Sequence, residues 1–101
     1  IFVSDGYDAH FSDPLTTLTQ DTQGYYRVTR KLISSAEALC EGRLMYVLEG
    51  GYDPLGLADN IQACLAALAG HGQFSDHYGE GPGVHPDVRP LIQQIQQLHH
   101  L

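Results

Sequence analysis

Apolar positions divide the chain into five elements. Ile1, Phe2 and Val3 form a short run stopped at Gly6, which suits the end of a buried strand better than a helix. Farther on, Tyr25, Val28, Leu32, Ala36, Leu39 and Cys40 recur at intervals of three and four, the period of one helix face. Thr19 is the expected N-cap of that helix and Gly42 its left-handed stop. Leu44 to Leu48 is a continuous apolar run, which predicts a strand covered on both faces and ended by Gly50 and Gly51. Asp53 and Pro54 then supply a cap and a first-turn proline for a second helix. Its expected apolar face is Leu57 or Ala58, Ile61, Cys64, Leu65 and Leu68, closing at Gly70.

Residues 71–85 are rich in Gly and His and lack any apolar period, so they predict a surface loop with His71, His77 and His85 in solvent. From Pro86, the positions Val88, Leu91, Ile92, Ile95 and Leu98 restore helical spacing, with His99 and His100 at the frayed end. The expected organisation is one α/β domain over 1–101. Residues 1–70 form a βαβα core, 71–85 a loop and 86–101 a terminal helix. Strands separated by helices are expected to run parallel, joined by right-handed crossovers. Two strands bury little, and Leu44 to Leu48 requires cover on two sides. Further strands, from a missing N-terminal part of the same chain, are therefore expected before Ile1.

Composition narrows the function classes. A formal charge of -7 with only 5 Lys and Arg is the wrong sign for gripping nucleic-acid phosphates, so no direct nucleic-acid partner is expected. The apolar runs are far too short for a membrane span and the N-terminus lacks a signal-peptide layout, so the expected setting is cytoplasmic, without membrane. Cys40 and Cys64 have no second Cys or His at metal-ligand spacing and read as reduced core thiols.

Two loops carry more chemistry than a turn needs. The segment SDGYDAHFSDPL, residues 4–15, follows the first strand and holds Asp5, Asp8, His10 and Asp13. An Asp oxygen at a strand end is a common zinc ligand. An acidic capping loop, with Asp13 as an Asx turn before Pro14, is the competing reading. In the second loop, EGGY at 49–52 lacks the G-x-G-x-x-G pattern of a phosphate cradle, and no cation follows it. Its paired glycines either bring backbone close to a ligand and aim the Tyr52 phenol into a site, or form a tight turn with an ordinary packed tyrosine. In parallel α/β sheets both loops lie on the ligand-binding edge.

Taken together, VSDGYDAHFSDPL, the helix opening GYYRVTRKL and GRLMYVLEGGYDPLGLADNIQACLAAL resemble the C-terminal part of the histone deacetylase family. That family includes bacterial acetylpolyamine amidohydrolases and acetoin-utilisation proteins. The resemblance runs from Ile1 to about Gly70. It implies the C-terminal part of a three-layer α/β/α arginase-deacetylase fold with a parallel sheet, and a Zn²⁺-dependent hydrolase of acetyl-lysine or acetylpolyamine amides. Asp8 matches the zinc-ligand aspartate of the family's G-F-D-A motif. Tyr52 matches its catalytic tyrosine, which stabilises the oxyanion. Pro14 and Leu15 would line the mouth of the acyl-lysine tunnel, and Gly50 and Gly51 its nearby wall. A tyrosine rather than a histidine at 52 fits the active members.

The family's remaining zinc ligands and its paired histidines belong to upstream segments not represented in these 101 residues. The fragment alone is therefore expected to be inactive and to hold zinc weakly. Asp5 departs from the small or apolar residue usual there and stands three residues before Asp8, close enough for like-charge repulsion unless it points away. Tyr7 replaces the commoner Phe, and His10 is read as loop packing. A non-catalytic binding or scaffold domain derived from the deacetylase fold is the alternative.

Overall fold

Strands β1 (Phe2–Asp5) and β2 (Met45–Leu48) pair in parallel, Phe2 opposite Met45 and Asp5 opposite Leu48. They belong to a computed structural model that describes residues 1–83 and 86–101. Between them runs α1 (Thr22–Cys40); α2 (Pro54–Leu68) and α3 (Arg89–His99) follow. The expected order of elements and the parallel pairing are both present.

Alternation along the strands sorts the side chains. Val3, Asp5 and Tyr46 turn toward the helices, whereas Phe2, Met45 and Val47 lie opposite and are 80%, 55% and 45% exposed. Among the described residues, β2 is thus covered on one face, not on two as its unbroken apolar run predicts.

Helix α1 starts later than expected. Asp21, not Thr19, is the N-cap, its carboxylate accepting the Gly24 N–H at 2.7 Å; an ionised oxygen there also suits the positive helix end. The helix stops with Glu41 and Gly42 both at positive φ, 57° and 77°. For α2, Asp53 caps and Pro54 opens the first turn as the sequence predicts.

The buried faces of both helices differ from the apolar stripes. In α1, Thr22, Tyr25, Thr29 and Ala36 are buried while Val28 and Leu39 face solvent. In α2, Gly56, Asp59, Asn60, Ala63, Cys64 and Ala67 are buried while Leu65 and Leu68 are exposed. The reason is close packing of α1 on α2. Small side chains let the helices approach, and Thr29 Oγ1 donates to Cys64 Sγ at 3.3 Å, whereas the buried Asn60 amide has no hydrogen-bond partner among the described residues. Tyr7, Tyr25 and Cys64 form the core, with Ala9, Leu57 and Ile61 against them. Cys64 is therefore a core thiol; Cys40 is only half-buried, and its Sγ donates to the Arg43 carbonyl at 3.2 Å.

The segment after α2 has no regular structure through Gly83, yet it is tied to the helices. The Tyr26 hydroxyl donates to the His71 carbonyl at 3.0 Å, and Phe74 stacks on the Tyr26 ring at 5.1 Å. The loop composition predicts His77 in solvent. Its ring keeps an exposed side, but Nδ1 lies 2.8 Å from Oδ1 of buried Asp59, whose Oδ2 accepts the His77 N–H at 2.8 Å. His71 is exposed, and His85 lies outside the described residues. Helix α3 is shorter than the expected 86–101 and buries none of its residues.

Candidate functional site

The strand ladder continues past the strand ends and joins the two loops. Glu49 N donates to the Asp5 carbonyl at 3.2 Å, and Tyr7 N donates to the Gly50 carbonyl at 2.9 Å. The turn after β1 and the turn after β2 therefore share one rim at the C-terminal edge of the sheet, where parallel α/β folds bind ligands.

Asp8 stands on this rim, exposed, with its carboxylate over two glycines. A Cβ added to Gly6 would lie 2.9 Å from Asp8 Oδ1, and one added to Gly50 would lie 3.0 Å from Oδ2. Any larger residue at either place would push the carboxylate aside. Gly51 adopts φ 128°, and a Cβ there would meet Leu57 Cδ1 at 2.9 Å and Tyr7 Cβ at 3.0 Å. This turn carries the chain to Tyr52, whose side chain is 57% exposed. Asp8 and Tyr52 are thus brought to one rim, with the Asp8 carboxylate resting on a glycine two residues before Tyr52.

Pro14 and Leu15 are exposed on the first loop. Behind them, Asp13 is only 5% exposed. Its Oδ1 accepts the Leu15 N–H at 2.9 Å, the expected Asx turn. Its Oδ2 accepts the Tyr52 N–H at 2.7 Å, a contact across 39 residues that local sequence does not announce.

A second tie lies beside it. Ser12 Oγ donates to Asp53 Oδ2 at 2.6 Å, and His10 Nδ1 lies 2.8 Å from the same Ser12 Oγ. His10 is buried, with its ring stacked on Phe11 at 4.6 Å and tilted against Tyr78 at 5.6 Å. Burial pulls its pKa below the ordinary value, against the opposite influence of nearby carboxylates led by Asp76 and Asp53. The Ser12 hydroxyl, followed by that of Tyr78, holds the Asp53 carboxyl below the usual carboxylate range. Thus His10 serves loop packing. Asp5 turns away from the rim toward Tyr46 and Cys64, where burial raises its pKa despite the opposing Tyr7 hydroxyl.

A parallel α/β unit with a carboxylate and a phenol-bearing glycine turn on one strand-end rim has the layout of the edge at which proteins of the α/β class bind ligands. The chain belongs to the histone deacetylase family: the histone deacetylase domain matches residues 1–68. It is similar to "Histone deacetylase 14, chloroplastic" of Arabidopsis thaliana, with 32% identity over the whole chain and 25% of that protein. A "Probable deacetylase" of Archaeoglobus fulgidus is 44% identical over 69% of the chain and 20% of its own length. The crystal structure of the HDA15 HD domain superposes on 73% of the chain and 20% of its own, with a TM-score of 0.60 and 32% identity. The fold is accordingly of the α/β arginase-deacetylase type. The chain spans between a fifth and a quarter of the length of these two relatives.

Members of this family are generally zinc-dependent. Among the described residues no three His, Cys, Asp or Glu side chains cluster closely enough to hold a metal. The Asp8 carboxylate, a hard oxygen donor seated in a glycine cradle on the open rim, fits one ligand of such an ion. A catalytic zinc site takes three protein ligands, so Asp8 fits it only in company.

Proposed function

We propose that these residues form one wall of a zinc-dependent amidohydrolase site that removes acetyl groups from lysine side chains or polyamines. The observation that carries the reading is the shared rim, with the Asp8 carboxylate packed on Gly50 and Tyr52 held two residues farther on. In this reading Asp8 supplies one of three zinc ligands, and the others come from segments beyond these 101 residues. Bound zinc would supply Lewis-acid polarisation of the acetyl carbonyl and an activated water.

The chain's own residues do the rest. Tyr52 donates its phenolic O–H to the oxygen that gains negative charge as the amide is attacked. Gly50 and Gly51 keep the wall beside that oxygen free of side chains. Pro14 and Leu15, exposed beside Asp13, line the entrance taken by the acyl-bearing arm. The net charge of -7 draws cationic substrates, weakly at physiological salt.

The test uses the full-length protein that carries this segment. Hydrolysis of an acetyl-lysine peptide and of an acetylpolyamine is measured side by side, with and without a chelator. Chelation abolishes turnover, and Tyr52→Phe lowers it about 10²- to 10³-fold while bound zinc is unchanged. Full turnover in Tyr52→Phe rejects the assignment.

A further inference from the structure

We propose that Asp13 is a positioning residue for Tyr52, an inference that rests on the catalytic reading of that tyrosine. Three observations carry it. The carboxylate is buried, only 5% exposed, although nothing in a capping turn requires burial. Each oxygen has a single backbone donor: Oδ1 takes the Leu15 N–H at 2.9 Å and Oδ2 the Tyr52 N–H at 2.7 Å. The receiving backbone follows Gly51, whose φ of 128° belongs to a region that residues with a Cβ seldom enter.

These facts make one device. A glycine at positive φ leaves the turn several ways to run, and a turn with such freedom does not by itself fix the direction of the next side chain. An ionised acceptor on the next N–H removes that freedom, because charge-assisted hydrogen bonds are short and about twice as strong as neutral ones. The same carboxylate holds the Leu15 backbone, so the tunnel entrance and the phenol keep a fixed spacing. Asp13 touches neither substrate nor metal in this scheme. It acts through Tyr52.

Asp13→Asn keeps one acceptor oxygen and replaces the other with an N–H₂ donor, so one of the two backbone donors loses its partner. In the full-length protein, kcat is expected to fall about 10- to 100-fold, the usual range for a residue that orients a catalytic group. KM and zinc content change little. A double-mutant cycle separates mechanism from general damage. In the Tyr52→Phe background, Asp13→Asn is expected to cost less than threefold, because the group it positions is gone.

Hydrogen exchange supplies a readout independent of turnover. In Asp13→Ala, which removes both acceptor oxygens, the Tyr52 amide exchanges at least tenfold faster, whereas the Tyr7 amide, bonded to the Gly50 carbonyl across the same rim, keeps its rate. An unchanged kcat, an equal loss in both backgrounds, or equal acceleration of both amides overturns the proposal. If Tyr52→Phe alone retains full turnover, it is the catalytic reading of Tyr52 that fails.

Discussion

Ser12 Oγ donates to Asp53 Oδ2 at 2.6 Å, and that same oxygen accepts the Gly56 N–H at 3.0 Å as the N-cap of α2. One carboxylate thus starts the second helix and anchors the first loop. Ser12→Ala removes the loop's donor and is expected to destabilise the chain by about 1.5 kcal/mol, the lower end for a hydrogen bond to a charged group because both partners are only half-buried. Urea unfolding of the two proteins measures it, and equal midpoints would count against the tie.

Gly56 sits in the same corner. A Cβ there would lie 2.7 Å from Ser12 Oγ and 2.9 Å from Asp53 Oδ2. Alanine is the better helix former by about 1 kcal/mol in a helix interior, yet Gly56→Ala is expected to lower stability because the clash opens both contacts. A gain in melting temperature would show that the corner yields.

His10 gives the fold a dependence on acid. Its pKa in the folded chain lies below the ordinary 6.5, so the unfolded chain binds the proton more readily. Stability is fully present above pH 6.5 and declines as pH falls from there through the folded value. His10→Gln should flatten that decline between pH 7.5 and 5.5. Urea midpoints at several pH values test it.

Asp5 has the opposite sign. Its folded pKa is raised above 3.8, so the folded chain holds the proton longer. The Asp5 contribution is most favourable below pH 3.8 and is lost as pH rises through the folded value. Asp5→Asn keeps the shape without the charge and should raise the melting temperature at pH 7. A lower melting temperature would mean that the ionised carboxylate has a partner worth keeping.

Zinc offers a separate check. With Asp8 alone on the rim and no three-ligand cluster among the described residues, the 101-residue chain is expected to bind zinc only weakly and to hydrolyse no acetyl amide. A titration giving tight one-to-one binding that Asp8→Asn abolishes would overturn this.

Local sequence was a good guide wherever a residue's role is set by its neighbours in the chain. Asp53 with Pro54 reads as a helix start, paired glycines as a strand end, and Asp13 before Pro14 as an Asx turn. Each depends on backbone within a few residues. Sequence and structure part where a partner comes from elsewhere in the chain. Apolar spacing selects Val28, Leu39, Leu65 and Leu68, but the buried positions of α1 and α2 include Thr29, Asp59 and Ala63: Thr29 bonds Cys64 across the helix pair, Asp59 holds His77, and Ala63 is small. Thr19 lost the cap to Asp21 because both side chains are competent and only the path of the loop decides. The bond from the Tyr52 amide to Asp13 spans 39 residues, and no local pattern encodes it.

The bare side of the sheet governs how this polypeptide behaves in a tube. Among the described residues the sheet has two strands, so β1 and β2 are both margins there, each with a row of amide and carbonyl groups open to pairing, flanked by Phe2, Met45 and Val47. Such a margin is a template for another copy's strand. Left by itself, the 101-residue polypeptide should become cloudy as concentration and salt rise, since its -7 charge then stops holding copies apart.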